Sequence, residues 1–318
     1  VHPLPERLIR DFASKVKKLY VVEELDPFIE EQVKAMGIEV TGKAVFPYTN
    51  EFDPGVVEKA VTGKSSAPIV ELPTIPPRPP NLCPGCPHRA LFYALNKTKA
   101  FVSGDIGCYT LSYMKPLSGM DSCVCMGASI GIAHGMSKAL GPKGKGKVVG
   151  VIGDSTFIHS GITPLLNAAY NRSNAVFIIA DNRTTAMTGM QEHPATGQTL
   201  QGEKTKELDF AALGKVLGVE RVEVIDPLQF KNTAEVLKRE LGKEGPSLII
   251  SRSPCVLLMS RKAAHAGHFY ADPDKCIGCK ACLSCGCPAI SWKDFEKAGM
   301  PPRPDRKKQK GIAVIDAS

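Results

Sequence analysis

Two short polar sequences each follow an apolar run rich in valine and isoleucine: Gly153-Asp154-Ser155 and, 25 residues later, Asp181-Asn182. Such runs are typical of buried parallel strands, which all end at one edge of a sheet. We therefore expect the carboxylate and the carboxamide to lie close together. Hard oxygen ligands of this kind suit Mg²⁺ or Ca²⁺, and a phosphate group would complete the coordination. The following helix would offer its N-terminal N–H groups to that phosphate.

Cysteines form the second chemical signal, since the chain contains eleven. Cys83 and Cys86 make a C-x2-C pair, which by itself could also bind a structural zinc ion. Cys108 and Cys255 stand alone and would ordinarily be small buried hydrophobic residues. The close spacing elsewhere in the chain favours metal ligation in a reducing cytoplasm over disulfides.

A run of five cysteines near the C-terminus gives the sharpest metal pattern. Cys276, Cys279 and Cys282 form C-x2-C-x2-C, and Cys287-Pro288 follows. This order is the bacterial ferredoxin pattern for a [4Fe–4S] cluster, in which the fourth cysteine can serve a second cluster. The last gap is four residues rather than three and contains an extra thiol, Cys285. A zinc-ribbon module is the alternative.

The elements that must position these residues are predicted from hydrophobic pattern. Short apolar strands alternating with amphipathic helices favour an α/β fold with a doubly wound parallel sheet. The predicted strands are Leu19–Glu23, Ile38–Val40, Lys147–Ile152, Ala175–Ala180, Ser247–Ser251 and Gly311–Ser318. The predicted helices are Pro5–Lys18, Phe28–Met36, His88–Lys97, Gly127–Leu140, Gly161–Tyr170, Asp209–Leu217 and Pro227–Leu241. Residues 66–82 contain six prolines and are predicted to be an extended linker.

Composition narrows the class of protein. Hydrophobic content is 43%, and no apolar stretch of about 18 residues is present, so we expect no membrane span. The net charge is +8, with basic segments at Lys143–Lys147 and Arg303–Lys310. Because neither segment carries interleaved aromatic residues, we expect no nucleic-acid binding. The chain starts with Val1 and has no signal pattern, so we expect it to begin inside a longer polypeptide.

The strand-end motif resembles the G-D-G…N-N motif of thiamine-diphosphate enzymes. That resemblance implies that Asp154 and Asn182 bind Mg²⁺ through side chains and Thr184 through its carbonyl, so that the metal anchors the cofactor's diphosphate. Gly153 and Ser155 would adjoin that diphosphate, and the Gly127-Ala128 turn matches the helix start near the cofactor. This chain departs from the motif at Ser155 and Asp181. The residues from Asn182 to Gln191 resemble the N-x5-T-G-x-Q loop of ferredoxin-linked oxidoreductases.

The scattered cysteines resemble the C-P-G-C, G-I-G-C and S-P-C positions of anaerobic 2-oxoacid:ferredoxin oxidoreductases. The resemblance implies that Cys83, Cys86, Cys108 and Cys255 hold a [4Fe–4S] cluster close to the thiazolium. The C-terminal run looks like that of indolepyruvate-type large subunits, with Cys276, Cys279, Cys282 and Cys287 as ligands of a ferredoxin-type cluster. It also implies a domain order: residues 1–65 end a transketolase C-terminal-like domain, 83–269 bind thiamine diphosphate, and 270–318 form part of a ferredoxin domain.

The activity implied by this resemblance is oxidative decarboxylation of an aryl 2-oxoacid such as indolepyruvate. Coenzyme A would take the acyl group, and electrons would pass through the clusters to ferredoxin. In the family a glutamate from a separate pyrimidine-binding domain activates the cofactor, and a smaller beta subunit completes the enzyme. This chain lacks that domain, so we expect it to be inactive alone. Histidines 88 and 193 are candidate active-site groups, although a structural role suits each as well.

Two other functions remain open from the residues. A non-redox thiamine-diphosphate decarboxylase would explain the strand-end motif but has no need of eleven cysteines. An electron-transfer subunit of ferredoxin type would explain the cysteines but not the pairing of Asp154 with Asn182. Iron and sulfide analysis separates the first alternative from the redox enzyme, and release of bound thiamine diphosphate separates the second.

Overall fold

The computed structural model describes residues 2–65, 74–77, 79–259, 269–299 and 309–316. The chain divides into two compact units, Val1–Arg78 and Pro79–Ser318. Part of the predicted Pro-rich linker (66–73 and 78) and part of the basic segment (303–308) lie outside the described residues. Within the described part of the chain, no helix is both long and apolar enough to span a bilayer.

The first unit contains three described helices, α1 (Glu6–Ala13), α2 (Phe28–Ala35) and α3 (Pro54–Thr62). The predicted strands at 19–23 and 38–40 are wrong, because neither segment forms a strand and their regular pairing is one isolated parallel bridge, between Tyr20 and Thr41. Helix α1 also stops at Ala13, short of the predicted Lys18.

Helix α3 was not predicted, although the sequence carries its start and stop signals. The Asp53 side chain caps the helix by accepting a hydrogen bond from the Val56 N–H at 2.9 Å. Pro54 occupies the first turn, where its missing N–H costs nothing. The helix ends at Gly63, whose φ of +72° is accessible to glycine without strain.

The second unit is built on a five-stranded parallel sheet with the order β1-β2-β3-β5-β4. Its strands are β1 (Phe101–Ser103), β2 (Val148–Gly153), β3 (Val176–Asp181), β4 (Arg221–Ile225) and β5 (Ser247–Arg252). Its helices are α4 (Pro87–Thr98), α5 (Ser129–Leu140), α6 (Asp154–Thr156), α7 (Ile162–Tyr170), α8 (Phe210–Val216) and α9 (Phe230–Leu241). A π-helical turn, Phe157–Gly161, joins α6 to α7.

Helices cover both faces of this sheet, so the predicted doubly wound architecture is confirmed. One apolar cluster contains side chains of α4 and α9, and a second contains side chains of α5, α7 and α8. Successive residues of β3 alternate between the clusters: Ile178 belongs to the first, Phe177 and Ile179 to the second. Because both faces are buried, β2 and β3 are continuous apolar runs.

The two sheet strands that were not predicted lie at its edges. β1 has three residues, and β4 carries Arg221 and Glu223 and is only half buried. Neither gives the long apolar run by which a central strand is recognised.

The C-terminal cysteine segment contains little regular structure. A 3₁₀ turn covers Ala281–Cys285, and β6 (Ile290–Asp294) pairs antiparallel with β7 (Gly311–Ile315). The predicted terminal strand is thus present up to Ile315. The ferredoxin-like character of this segment stays a prediction.

Helix α5 packs very closely on the centre of the sheet at Gly150. A Cβ at this position would lie 3.0 Å from the Ala133 Cβ and 3.3 Å from the Phe177 ring. The substitution Gly150→Val is therefore expected to lower the free energy of unfolding by about 1–3 kcal/mol, because the extra atoms overpack the interface.

Gly135 on the exposed side of α5 is the matched control, since a Cβ there meets nothing within 4 Å. Gly135→Ala should raise the same free energy by about 0.5–1 kcal/mol through helix propensity. Chemical unfolding of both variants measures the two effects. Equal stability of Gly150→Val and the native protein would show that α5 does not pack as described.

Candidate active site

The ends of β2 and β3 bring together the residues of the strand-end motif. The two strands are hydrogen-bonded neighbours, with Gly153 opposite Ala180. Asp154 follows β2, and both oxygens of its buried carboxylate accept backbone hydrogen bonds: Oδ1 from the Ser155 N–H at 2.8 Å and Oδ2 from the Arg183 N–H at 2.9 Å. The carboxylate is thereby fixed across the two strand ends.

The Asn182 side chain faces two oxygen atoms. Its inward-facing amide position lies 2.7 Å from the Thr184 carbonyl oxygen and 3.3 Å from Asp154 Oδ2. If the amide nitrogen occupies this position, it donates to both oxygens. If the amide oxygen occupies it, three oxygen atoms meet without a hydrogen among them, and a cation between them would satisfy all three. The donor set therefore fits a hard divalent ion.

His193 approaches the same carboxylate from a loop between β3 and α8. Its Nε2 lies 3.1 Å from Asp154 Oδ2, but the ring N–H does not point along this line, so the contact is not a hydrogen bond. The Ala195 N–H donates to His193 Nδ1 at 3.3 Å, which leaves the ring proton on Nε2. Both His193 and Asp154 are buried, so the ring limits how the carboxylate can turn.

A cavity of about 110 Å³ opens beside these residues at the carboxyl ends of the strands. Ligands of open α/β sheets bind at this edge. Of the sequence-predicted residues, those that line it are His88, Cys108, Gly153, Asp154, Ser155, Asn182 and Thr184. Gly127, Ala128 and His193 do not line it, although Met126 does.

His88 stands at the start of α4, and its ring packs edge-on against Tyr109 at 5.6 Å between centroids. Burial lowers the pKa of His88 to about 4, although the Asp154 carboxylate acts in the opposite direction. The imidazole is therefore neutral at physiological pH, as a proton acceptor or a packing group would be.

Two residues that support the cavity were missed in the sequence. Tyr109 accepts a hydrogen bond from the Gly153 N–H at 2.8 Å and donates to the Ile106 carbonyl at 3.2 Å, which holds the end of β2. Asp105 is fully buried and follows β1 just as Asp154 follows β2. The repeated strand-Gly-Asp pattern was the signal that marked Asp105.

Asp105 shapes the turn before α5. Its Oδ1 accepts from the Gly127 N–H at 2.8 Å, and its Oδ2 accepts from the Ser129 N–H at 3.1 Å. Gly127 has a φ of +92°, so the turn needs both a glycine and an anchor. The turn predicted to approach the cofactor is thus held by a carboxylate from the neighbouring strand.

The four scattered cysteines converge near the cavity. Burial is the main cause that raises the pKa of the Cys86 thiol to about 11, and Cys83 and Cys108 act in the same direction. Burial also raises the pKa of Cys108, with contributions from Cys255 and Cys83. These four sulfurs therefore lie close enough to interact electrostatically, with Cys108 central to the group.

The Cys255 backbone contacts the oxygen cluster at Asn182, because its N–H donates to the Asn182 carbonyl oxygen at 2.9 Å. The C-P-G-C turn approaches the same segment, since a Cβ on Gly85 would lie 3.4 Å from Val256. The thiols thus sit beside the oxygen cluster rather than in a separate part of the unit.

The C-terminal thiols are more exposed. Cys279 and Cys282 are exposed, and Cys276, Cys285 and Cys287 are half buried. Among the described residues, no three His, Cys, Asp or Glu side chains meet closely enough to hold one metal ion. The oxygen cluster at Asp154 contains one such side chain, together with the Asn182 amide and the Thr184 carbonyl. In an iron–sulfur cluster each thiolate binds its own iron, so its ligands need not meet at one ion.

Residues 105–251 match the family described as thiamine pyrophosphate enzyme, C-terminal TPP binding domain. Indolepyruvate oxidoreductase subunit IorA of Archaeoglobus fulgidus is 43% identical over 94% of this chain and 51% of its own length. The same subunit of Pyrococcus abyssi is 38% identical over 93% of this chain and 51% of its own. Over nearly all of its own length the chain is thus similar to indolepyruvate oxidoreductase subunits.

The chain spans about half the length of these relatives. Among solved structures, a 2-oxoglutarate:ferredoxin oxidoreductase from Magnetococcus marinus has a TM-score of 0.49 at 18% identity. It covers 76% of this chain and 82% of its own. A likeness at this level has no weight for function.

Asp105→Asn is expected to destabilise the protein by about 1–3 kcal/mol, because an amide has one acceptor oxygen where two are needed for the turn's N–H groups. Asp121→Asn is the control. Its exposed carboxylate accepts one described hydrogen bond, from the Val102 N–H at 2.7 Å, which a single amide oxygen can replace. Chemical unfolding compares the two, and equal losses would contradict the anchoring role of Asp105.

Proposed function

We propose that this chain provides the diphosphate-binding site and the iron–sulfur relay of an oxidoreductase that decarboxylates an aryl 2-oxoacid such as indolepyruvate. Coenzyme A accepts the acyl group and ferredoxin accepts the electrons. The observation that carries the proposal is the convergence of Asp154, Asn182 and the Thr184 carbonyl on one point of a cavity that Cys108 also lines.

Asp154, Asn182 and Thr184 hold Mg²⁺, or Ca²⁺, in this proposal. All three supply oxygen ligands, and the cavity beside them leaves room for diphosphate oxygens to complete the shell. The bound cofactor supplies the carbanion chemistry of decarboxylation, while these side chains fix its position.

The quartet Cys83, Cys86, Cys108 and Cys255 holds a [4Fe–4S] cluster beside the cofactor. Burial raises the pKa of the Cys86 and Cys108 thiols, so both stay protonated at neutral pH unless a cation binds them. Iron would compensate four thiolates at this position. Because ferredoxin takes one electron at a time, a one-electron relay close to the cofactor is required.

Cys276, Cys279, Cys282 and Cys287 bind the outer, ferredoxin-type cluster. Their spacing carries this part of the proposal. The turns between them include Gly278 at a φ of +71° and Lys280 at +60°, two left-handed backbone conformations. Cys285 is held by its own turn, since its thiol lies 3.0 Å from the Cys282 carbonyl oxygen.

The carboxylate that activates the aminopyrimidine comes from outside the described residues. No glutamate among them lines the cavity, where Asp154 is the sole carboxylate. A pyrimidine-binding domain therefore completes the site, and the smaller beta subunit completes the enzyme. This fits the half-length match to the IorA relatives.

Replacement of one proposed metal ligand tests whether cofactor binding depends on the metal ion. Asp154→Asn is expected to weaken thiamine-diphosphate binding at fixed Mg²⁺ by about 100-fold or more, because the variant loses a charged ligand of the metal ion. This factor corresponds to a loss of about 3 kcal/mol in binding free energy. Isothermal titration calorimetry on the assembled enzyme, with and without EDTA, measures this effect.

Asp181→Asn is the control for this experiment. Asp181 is also buried at the same strand end, but it pairs with Arg252 at 2.6 Å. Its variant should bind the cofactor within about threefold of the native affinity, a difference under 1 kcal/mol. Native-like, EDTA-insensitive binding by Asp154→Asn would rule out the metal site.

Iron content tests the inner cluster. Cys108→Ser should lower iron and acid-labile sulfide by about four atoms per chain in anaerobically purified enzyme, because a cubane cluster needs its fourth thiolate. Cys123→Ser is the control, since this exposed thiol lies outside the quartet. Unchanged iron in Cys108→Ser would eliminate the inner cluster. Iron-free native enzyme would favour a non-redox decarboxylase instead.

A further inference from the structure

The C-terminal cysteine segment is fastened to α4 by one buried arginine. Arg89 is 5% exposed and follows Cys86 by three residues. Its Nη1 donates to the carbonyl oxygens of Cys285 at 3.0 Å and Gly286 at 2.6 Å. Its Nη2 donates to the Leu82 carbonyl at 2.5 Å. One guanidinium thus connects the main chain just before Cys83 with the main chain just before Cys287.

A second contact lies one helical turn further along α4. The Tyr93 hydroxyl lies 3.1 Å from the Ser284 hydroxyl, within hydrogen-bonding distance. Arg89 and Tyr93 are four residues apart and share one face of the helix. The cysteine segment therefore contacts one face of α4 through two side chains, Arg89 and Tyr93.

The backbone at Gly286 comes unusually close to its neighbours. Its φ is +66°, and a Cβ there would lie 2.8 Å from the Pro116 ring and 3.3 Å from Arg89 Nη1. A glycine is required on both counts, since a side chain would strain the backbone and displace the guanidinium. The docking geometry is thus fixed from both sides of the contact.

The charge of Arg89 lacks a described counter-ion. Its hydrogen-bond acceptors are three carbonyls and the Asn81 amide oxygen at 3.3 Å, all neutral, and its buried Nε has no partner among the described residues. A buried cation is costly unless negative charge lies nearby. Thiolate-ligated clusters at the two cysteine sets would provide that charge on either side of the guanidinium.

We propose that Arg89 is the positioning residue that holds the outer cluster segment against the inner one, and that its charge favours reduction of the clusters. This inference rests on the proposed function. Arg89 touches neither substrate nor cofactor in this scheme. It acts by keeping Cys287 and Cys86 at a fixed separation and by compensating negative charge that increases when an electron arrives.

Redox potential and local protection provide two independent readouts. In the assembled enzyme, Arg89→Met should shift at least one cluster to a more negative midpoint potential in an EPR-monitored titration. The expected size is a tenfold change in the reduction equilibrium, which is about 59 mV for a one-electron couple. Hydrogen exchange of the Gly286 amide, which donates to the Leu283 carbonyl at 3.0 Å, should accelerate at least tenfold.

Two further variants keep the result interpretable. Arg89→Lys retains the positive charge but loses the planar guanidinium. The cluster midpoint potentials should therefore stay close to native, while hydrogen exchange of the backbone amides at 284–287 should accelerate. Arg221→Met is the structural control, because Arg221 is a half-buried arginine at the start of edge strand β4, paired with Glu240 at 3.1 Å and, among the described residues, not in contact with the cysteine segment. It should change stability but neither readout.

Native potentials and native exchange in Arg89→Met would overturn the inference. The same holds if Arg89→Met and Arg89→Lys shift the potential equally, since charge would then have no role. Enzyme without iron would refute the proposed function instead. Hydrogen exchange at 284–287 needs no cluster and would still decide whether Arg89 docks the segment.

Discussion

The convergence of Asp154, Asn182 and the Thr184 carbonyl at the ends of two adjacent parallel strands is the constraint that the surrounding structure serves. An Asn182 amide nitrogen at this point donates to both neighbouring oxygens, whereas an amide oxygen there needs a cation between the three oxygen atoms. The parallel sheet brings the strand ends to one edge, and backbone N–H groups from Ser155 and Arg183 lock the carboxylate there. The cavity, the supporting tyrosine and the cysteine quartet are arranged around this point.

The centre of the sheet could be predicted from sequence because β2, β3 and β5 are buried on both faces and so consist of apolar residues. Strands β1 and β4 escaped prediction because edge strands need fewer apolar residues and can be very short. The opposite error occurred at 19–23, where an apolar pattern is present but regular pairing extends no further than one bridge. Local pattern cannot reveal whether a partner strand exists.

The same distinction applies to the site. Asp154 and Asn182 could be found because their chemistry and their place after a strand are both local features of the sequence. Asp105 and Arg89 act on main-chain groups 22 and 197 residues away, at Gly127 and Gly286. Backbone acceptors and donors leave no trace in residue type, so such contacts become visible only when the chain is folded.

The hydrogen bond from the Cys255 N–H to the Asn182 carbonyl has a consequence for how this scaffold can diversify. It belongs to the main chain, so any residue except proline at position 255 can make it. Exchange of the sulfur for another small group would remove a proposed iron ligand yet leave the neighbouring oxygen cluster in place. Under the proposed function, loss of the inner cluster and loss of the diphosphate site are therefore separable by substitution on this scaffold.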